Sequence, residues 1–218
     1  MDPTLMIPLV HDFTGERVLV FGGGPVGARK ARRFAREADV VVVSPTFEGD
    51  SYGDSQRVRA APDPADVSDW LDRFDPALAV AATDSTEVNE AIERAADQRG
   101  ILSNRADRSG ARDPGHVVVP ATVRDDPVVA AVSTGANSPV LSRHLRQELE
   151  STISGAGGMA ELTGSLREEL DEFDSQTRRT ALRAVVDSDA VWKALDTESA
   201  NAHQVAIDVI ADATGDSL

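Results

Sequence analysis

The stretch VLVFGGGPVGARKARRF, Val18 to Phe34, limits what this chain can fold into more than any other. Residues 17–21 (RVLVF) make a short apolar run between Gly15 and Gly22, the pattern of a strand covered on both faces. From Val26 to Ala38 small and apolar residues alternate with arginine at helical spacing, which predicts a helix. Between the two, Gly22, Gly24 and Gly27 form G-x-G-x-x-G. In that setting the first glycine permits the tight turn and the second lets a pyrophosphate approach the backbone. The third lets the helix pack closely on the strand. Pro25 and Val26 complete the turn, and the N–H groups and partial positive charge of the helix start would face the phosphates. The stretch predicts a dinucleotide site.

Such a site usually has an acid about 20 residues further on, at the end of the second strand, to grip the adenosine ribose. Here that position reads Val43-Ser44-Pro45. Ser44 is the candidate for the ribose hydroxyl, and with no arginine following closely the expected cofactor is NAD rather than NADP. The cluster Arg29, Lys30, Arg32 and Arg33 reads as an exposed helix face. Ligands of open α/β sheets lie at the carboxyl ends of strands, so Thr83 and Asp84, closing the run ALAVAATD, should also line the cofactor site. Asp84 has a second reading as the cap of the next helix, a role Ser85 serves equally well.

Further strands are expected at 39–45, near 56–61, at 77–84 and at 101–107, with helices over PADVSDWLDRF and STEVNEAIERAADQRG. Alternating strands and helices indicate a parallel, doubly wound sheet. Residues 115–135 then carry two or three β-rich stretches with no room for crossover helices. From Pro139 onward the pattern is helical, with SGAGG at 154–158 as a break.

Composition narrows the function classes. The net charge is −15, which argues against a nucleic-acid partner because a phosphate backbone would be repelled. The acids are scattered, and the bases are 20 Arg against 2 Lys; this reads as a solvated acidic surface of the kind suited to high salt. No apolar run approaches the roughly 18 residues of a membrane span. The N-terminal residues lack the pattern of a signal peptide, so no membrane partner and a cytoplasmic location are expected. With no cysteine there is neither a disulfide nor a thiolate metal site. His11, His116, His144 and His203 form no metal pair on one helix face, so no resident metal is expected.

Five stretches together resemble one family. They are MIPLVHDFTGERVLVFGGGPVGARKA, LAVAATDSTEVNEAI, NRAD at 104–107, VVVPATVRDDPVVAAVSTGANSPVLSRHLRQELE and MAELTGSLREEL. The chain is similar, over nearly its whole length, to the precorrin-2 dehydrogenases, often bifunctional as sirohydrochlorin ferrochelatases, which form the N-terminal half of siroheme synthases. The resemblance implies an α/β architecture in three parts. These are a Rossmann-like NAD-binding domain over 1–113, a small β-rich dimerisation region over 114–148 and a C-terminal helical domain over 149–218. It implies a homodimer that oxidises precorrin-2 to sirohydrochlorin with NAD, and for some members Fe(II) insertion to give siroheme.

The family's catalytic carboxylate falls on Asp107, suited to take protons during dehydrogenation or metal insertion. Read from the residues alone, Asp107 is a turn acid ahead of RSGARDPG. Candidate substrate contacts are Asn104, Ser133, Thr134, Ser138 and Arg143. Ser138 also suits a helix cap before Pro139. Arg105 and Ala106 stand where relatives have aliphatic residues, and His116 where they have an aromatic one. Arginines 105, 108 and 112 are either grips for the substrate's carboxylates or ordinary surface residues. The reading from another class is a non-catalytic NAD-sensing module, which leaves STGANSPVLSRHLRQELE unexplained.

Overall fold

In the computed structural model, which describes residues 7–49, 51–108, 116–135, 137–197 and 201–215, the apolar run becomes strand β1 (Arg17–Phe21). Its residues Val18, Leu19, Val20 and Phe21 are fully buried. Around it lie β2 (Asp39–Ser44), β3 (Ser55–Arg59), β4 (Leu78–Ala81) and β5 (Leu102–Arg105). They form one five-stranded sheet in the order β3-β2-β1-β4-β5, every neighbouring pair parallel. The chain direction across the sheet reverses between β1 and β4, and the crevice at such a switch point is where open α/β sheets bind ligands.

Alternation along the strands fills two layers. Val18, Val20, Val40, Val42, Leu78 and Val80 pack with Ala28 and Ala31 of helix α1 (Pro25–Phe34). Leu19, Phe21, Val41, Val43, Ala79 and Ala81 pack with α2 (Val67–Phe74) and α3 (Thr86–Gln98). Each large aliphatic or aromatic side chain so buried contributes roughly 1.5–3 kcal/mol. Helix α1 closes at Phe34 rather than Ala38, because the N–H groups of Glu37 and Ala38 both turn back to the Phe34 carbonyl. The cap of α3 is Ser85, whose hydroxyl accepts from the Val88 N–H; the alternative role of Asp84 is thereby taken.

A second compact unit comprises residues 120–134 and 138–218, the first comprising 1–119 and 135–137. The second unit thus holds most of the expected 114–148 and 149–218 regions together. Its strands β6 (Ala121–Asp125) and β7 (Val128–Val132) pair as an antiparallel hairpin. Among the described residues five helices follow: α4 (Pro139–Thr152), α5 (Ala156–Glu169), α6 (Ser175–Val186), α7 (Asp189–Asp196) and α8 (Ala202–Thr214). Met159, Leu162, Leu166 and Leu170 form a stripe at helical spacing that packs against Ala181, Val185, Val191, Ala206 and Ile210. The expected break at 154–158 is shorter than its glycines suggest. Helix α5 already begins at Ala156, because Gly157 is seated against the hairpin. Its N–H donates to the Asp125 carboxylate at 3.1 Å, and a Cβ there would overlap the Asp126 carbonyl.

Candidate active site

The glycine turn follows β1 directly. Gly22 has φ +118°, and a Cβ on it would overlap the Ala82 carbonyl, so only glycine fits this point. A Cβ on Gly27 would overlap the Gly22 carbonyl, which is how α1 comes to lie so close to the strand. Gly24 differs: a Cβ there would meet nothing within 4 Å. The protein's own packing does not require glycine at this position, whereas a pyrophosphate lying on the backbone would. Gly24 is also the N-cap of α1 with no side chain to cap it, and Pro25 follows at the first helical position. A glycine that is open on one side, at the uncapped positive end of a helix, is the cradle a dinucleotide's phosphates need, so the residues present fit NAD.

Gly23, outside the G-x-G-x-x-G pattern, is a residue that sequence reasoning missed. A Cβ on it would overlap the Thr46 carbonyl, and its own carbonyl accepts from the Tyr52 hydroxyl and, at 2.9 Å, from the Glu48 N–H. Nothing local in the sequence announces these contacts. Ser44 is only 5% exposed and lies against Gly23, beneath the turn. Lys30 does not decorate a free helix face, since its ammonium donates to Asn104 Oδ1 at 2.8 Å.

Beyond β4, Thr83 is fixed by Asn89, which is 1% exposed. Asn89 Oδ1 accepts from Thr83 Oγ1 at 2.7 Å and from its N–H at 3.2 Å, while Nδ2 donates to the Thr83 carbonyl at 2.9 Å. Asp84 is exposed beside it. The Asn89 amide also helps to draw the Asp107 carboxyl down, so one buried side chain bears on both the β4 loop and the carboxylate after β5. Its position within LAVAATDSTEVNEAI was the available signal.

Asp107 is held in place by its neighbours. Arg105 donates to it twice, Nε to Oδ1 at 3.0 Å and Nη2 to Oδ2 at 2.6 Å, and reaches Glu93 Oε2 from Nη1 at 3.1 Å. The Arg105 side chain is 5% exposed and that of Asp107 28%. Arg105 is therefore neither a surface arginine nor a grip for substrate carboxylates but the buried partner of two acids. Its hydrogen bonds draw the Asp107 carboxyl below the usual carboxylate range; burial opposes this and Asn89 assists it. Arg108 pairs with Glu90 at 2.8 Å and lies 3.7 Å from Glu93, whose other oxygen faces His116 Nε2 at 3.1 Å. Arg112 lies outside the described residues. Asn104 is buried, with Oδ1 taken by Lys30 and Nδ2 donating to the Val117 carbonyl at 2.8 Å; both ends of its amide are engaged along the sheet edge.

In the second unit, Ser133 and Thr134 follow β7. Thr134 Oγ1 lies 2.8 Å from Ser142 Oγ and bonds to the Ser138 backbone. Ser138 caps α4 by accepting from the Leu141 N–H, with Pro139 at the first helical position. Arg143 is exposed on that helix, and Arg146 pairs with Glu150 at 2.9 Å. Among the described residues no group of three or more His, Asp or Glu side chains is placed to hold a metal ion.

A family model described as putative NAD(P)-binding matches residues 9–121, about half of the chain and the whole of the glycine turn, β4 loop and Asp107 region. The precorrin-2 dehydrogenase of Methanosarcina barkeri is 31% identical over 195 residues, covering 85% of each chain. Siroheme synthase 1 of Aeromonas salmonicida is 33% identical over 96% of this chain and 45% of its own length. The siroheme synthase of Pseudomonas aeruginosa is 36% identical over 79% of this chain and 37% of its own. The chain thus spans less than half the length of these siroheme synthases. Among solved structures, SirC, precorrin-2 dehydrogenase, covers 95% of this chain and 100% of its own with a TM-score of 0.69 at 21% identity, which shows a shared fold. The glycine cradle and the shared fold agree with a likeness that runs through both compact units, and the chain belongs to the precorrin-2 dehydrogenase family.

Proposed function

We propose that this protein oxidises precorrin-2 to sirohydrochlorin with NAD, and that Asp107 is the catalytic carboxylate. The observation that carries the reading is the arrangement along one sheet edge. The open cradle of Gly22, Gly24 and Gly27 follows β1, the Thr83–Asp84 loop follows β4, and Asp107 follows β5. Strands β1 and β5 are two spacings apart, about 10 Å, which is room for a nicotinamide and the edge of a macrocycle between cradle and carboxylate. NAD, when bound, supplies the hydride acceptor.

The chain's own residues bind and orient. The turn from Gly22 to Gly27, with Pro25 and Val26, holds the pyrophosphate, while Ser44, Thr83 and Asp84 line the rest of the cofactor site. Removing a hydride from the substrate leaves positive charge on it, and a proton must follow. Asp107, kept ionised by Arg105, stabilises that charge by proximity and accepts the proton. A carboxyl group with a depressed pKa then passes the proton on readily. Ser133, Thr134, Ser138 and Arg143 are proposed contacts for the carboxylates of the tetrapyrrole, and Asn104 supports the site by fixing Lys30.

A homodimer is proposed on separate grounds. Helix α4 buries none of its residues within the chain, and Val140, Leu141, Leu145 and Val129 are exposed apolar side chains on it and on β7. Among the described residues no helix is long and apolar enough to cross a membrane.

The test is to mix the purified protein with precorrin-2 and NAD and follow NADH formation and the tetrapyrrole spectrum together. Turnover that Asp107→Asn abolishes, with NAD binding retained, supports the assignment. Binding of NAD with no turnover at any salt concentration favours the non-catalytic sensing module instead. Adding Fe(II) to sirohydrochlorin in the same assay reads the second activity.

A further inference from the structure

The carboxyl end of β2 carries a guanidinium group in the neighbourhood where NAD-selective folds of this type place an acid. In the parallel pairing of β2 with β3, Ser44 is opposite Arg59 and Val42 is opposite Arg57. Val58 and Ala60 pack into the layer of α2 and α3, so by strand alternation Arg57 and Arg59 stand on the α1 face, the side of the glycine turn. Arg59 Nη1 donates to the Pro45 carbonyl at 3.3 Å, which holds the guanidinium beside the end of β2. Its Cζ lies 5.9 Å from the centre of the Phe47 ring.

Arg57 lies 5.9 Å from that same ring and 5.7 Å from the ring of Tyr52. The Tyr52 hydroxyl in turn bonds the Gly23 carbonyl, so this cationic pair is tied to the phosphate turn itself. Arg59 is exposed, and among the described residues no carboxylate pairs with it. Ser44 is uncharged and buried. Glu48, whose backbone bonds the Gly23 carbonyl, makes no ion pair with Arg59.

We propose that Arg59, with Arg57 beside it, receives a 2′-phosphate, so that the site takes NADP as well as NAD. The inference rests on reading Gly22 to Gly27 as a dinucleotide turn. An acid at the end of β2 would grip the ribose hydroxyl and repel a phosphate there. Ser44 carries no charge to repel one, and a guanidinium group offers planar, paired donors suited to phosphate oxygens.

The test is calorimetric titration of the full chain, without tetrapyrrole and at one fixed salt concentration, with NAD⁺, NADP⁺, 5′-ADP and 2′,5′-ADP. The expected result is NADP⁺ affinity within about tenfold of that for NAD⁺, and 2′,5′-ADP bound more tightly than 5′-ADP. Arg59→Ala should lower the NADP⁺/NAD⁺ affinity ratio about tenfold or more, with Arg59→Lys restoring part of it. NADP⁺ bound about a hundredfold more weakly than NAD⁺, or a ratio indifferent to Arg59→Ala, overturns the proposal while leaving the NAD site standing. If none of the four ligands binds, the dinucleotide reading of the turn fails, and this inference with it.

Discussion

Replacing Arg105 by methionine (Arg105→Met) removes the cation that two acids share while keeping most of the buried volume. Three hydrogen bonds are lost, two to Asp107 and one to Glu93. Deleting one partner of a buried ion pair costs about 3–5 kcal/mol, mostly because a charge is left uncompensated. Two features reduce that figure here. Asp107 is 28% exposed, so water solvates part of its charge, and Glu93 keeps His116 and Arg108 nearby. The expected loss at neutral pH is about 2–3 kcal/mol.

Urea unfolding followed by Trp70 fluorescence in a Trp192→Phe background reads this loss in the sheet unit. Trp70 stacks on Phe74 beside that unit's core, whereas Trp192 packs in the helical unit. The pH dependence has a definite sign. The folded Asp107 carboxyl lies below its ordinary value of 3.8, so its ion pair stabilises fully above that value and is lost as pH falls through the depressed one. In the variant burial is the largest influence left on Asp107, and it favours the protonated acid. The gap between the two proteins is therefore widest near neutrality and narrows toward about pH 4. Combining Arg105→Met with Asp107→Asn should recover part of the loss, as coupled residues do. A loss under about 0.5 kcal/mol, or a gap that does not change with pH, would refute the claim that Arg105 exists to hold these carboxylates.

Three further outcomes follow from the geometry. Gly24→Ala should leave stability within about 1 kcal/mol, since its Cβ meets no protein atom, yet weaken NAD binding at least about tenfold. Gly22→Ala should destabilise the fold itself through the Ala82 carbonyl, and thermal melts beside NAD titrations separate the two. Leu141→Arg on α4 should shift sedimentation from dimer to monomer at micromolar concentration with the sheet unit's melting unchanged; a dimer that persists removes α4 from the interface.

Element type was legible in this sequence because it is encoded by local periodicity. The continuous apolar run of β1, the small residues on the inner face of α1 and the Ser-x-x start of α3 each needed only near neighbours to be read. The three spaced glycines also declared their use, since a turn between strand and helix imposes its demands within six residues. Which side chains meet across the sheet had no such local trace. Lys30 and Asn104 are 74 positions apart, and Gly23 is required only because Thr46 and Tyr52 return to it. Arg105 looked like a surface or substrate-gripping arginine until α3 supplied Glu93 as its second partner. Arg59 stands beside Ser44 through strand register alone, 15 residues further along the chain. Periodicity assigns each residue a face. Only strand order and register decide which residues from elsewhere share that face, and the electrostatics of the site is a property of those shared neighbours.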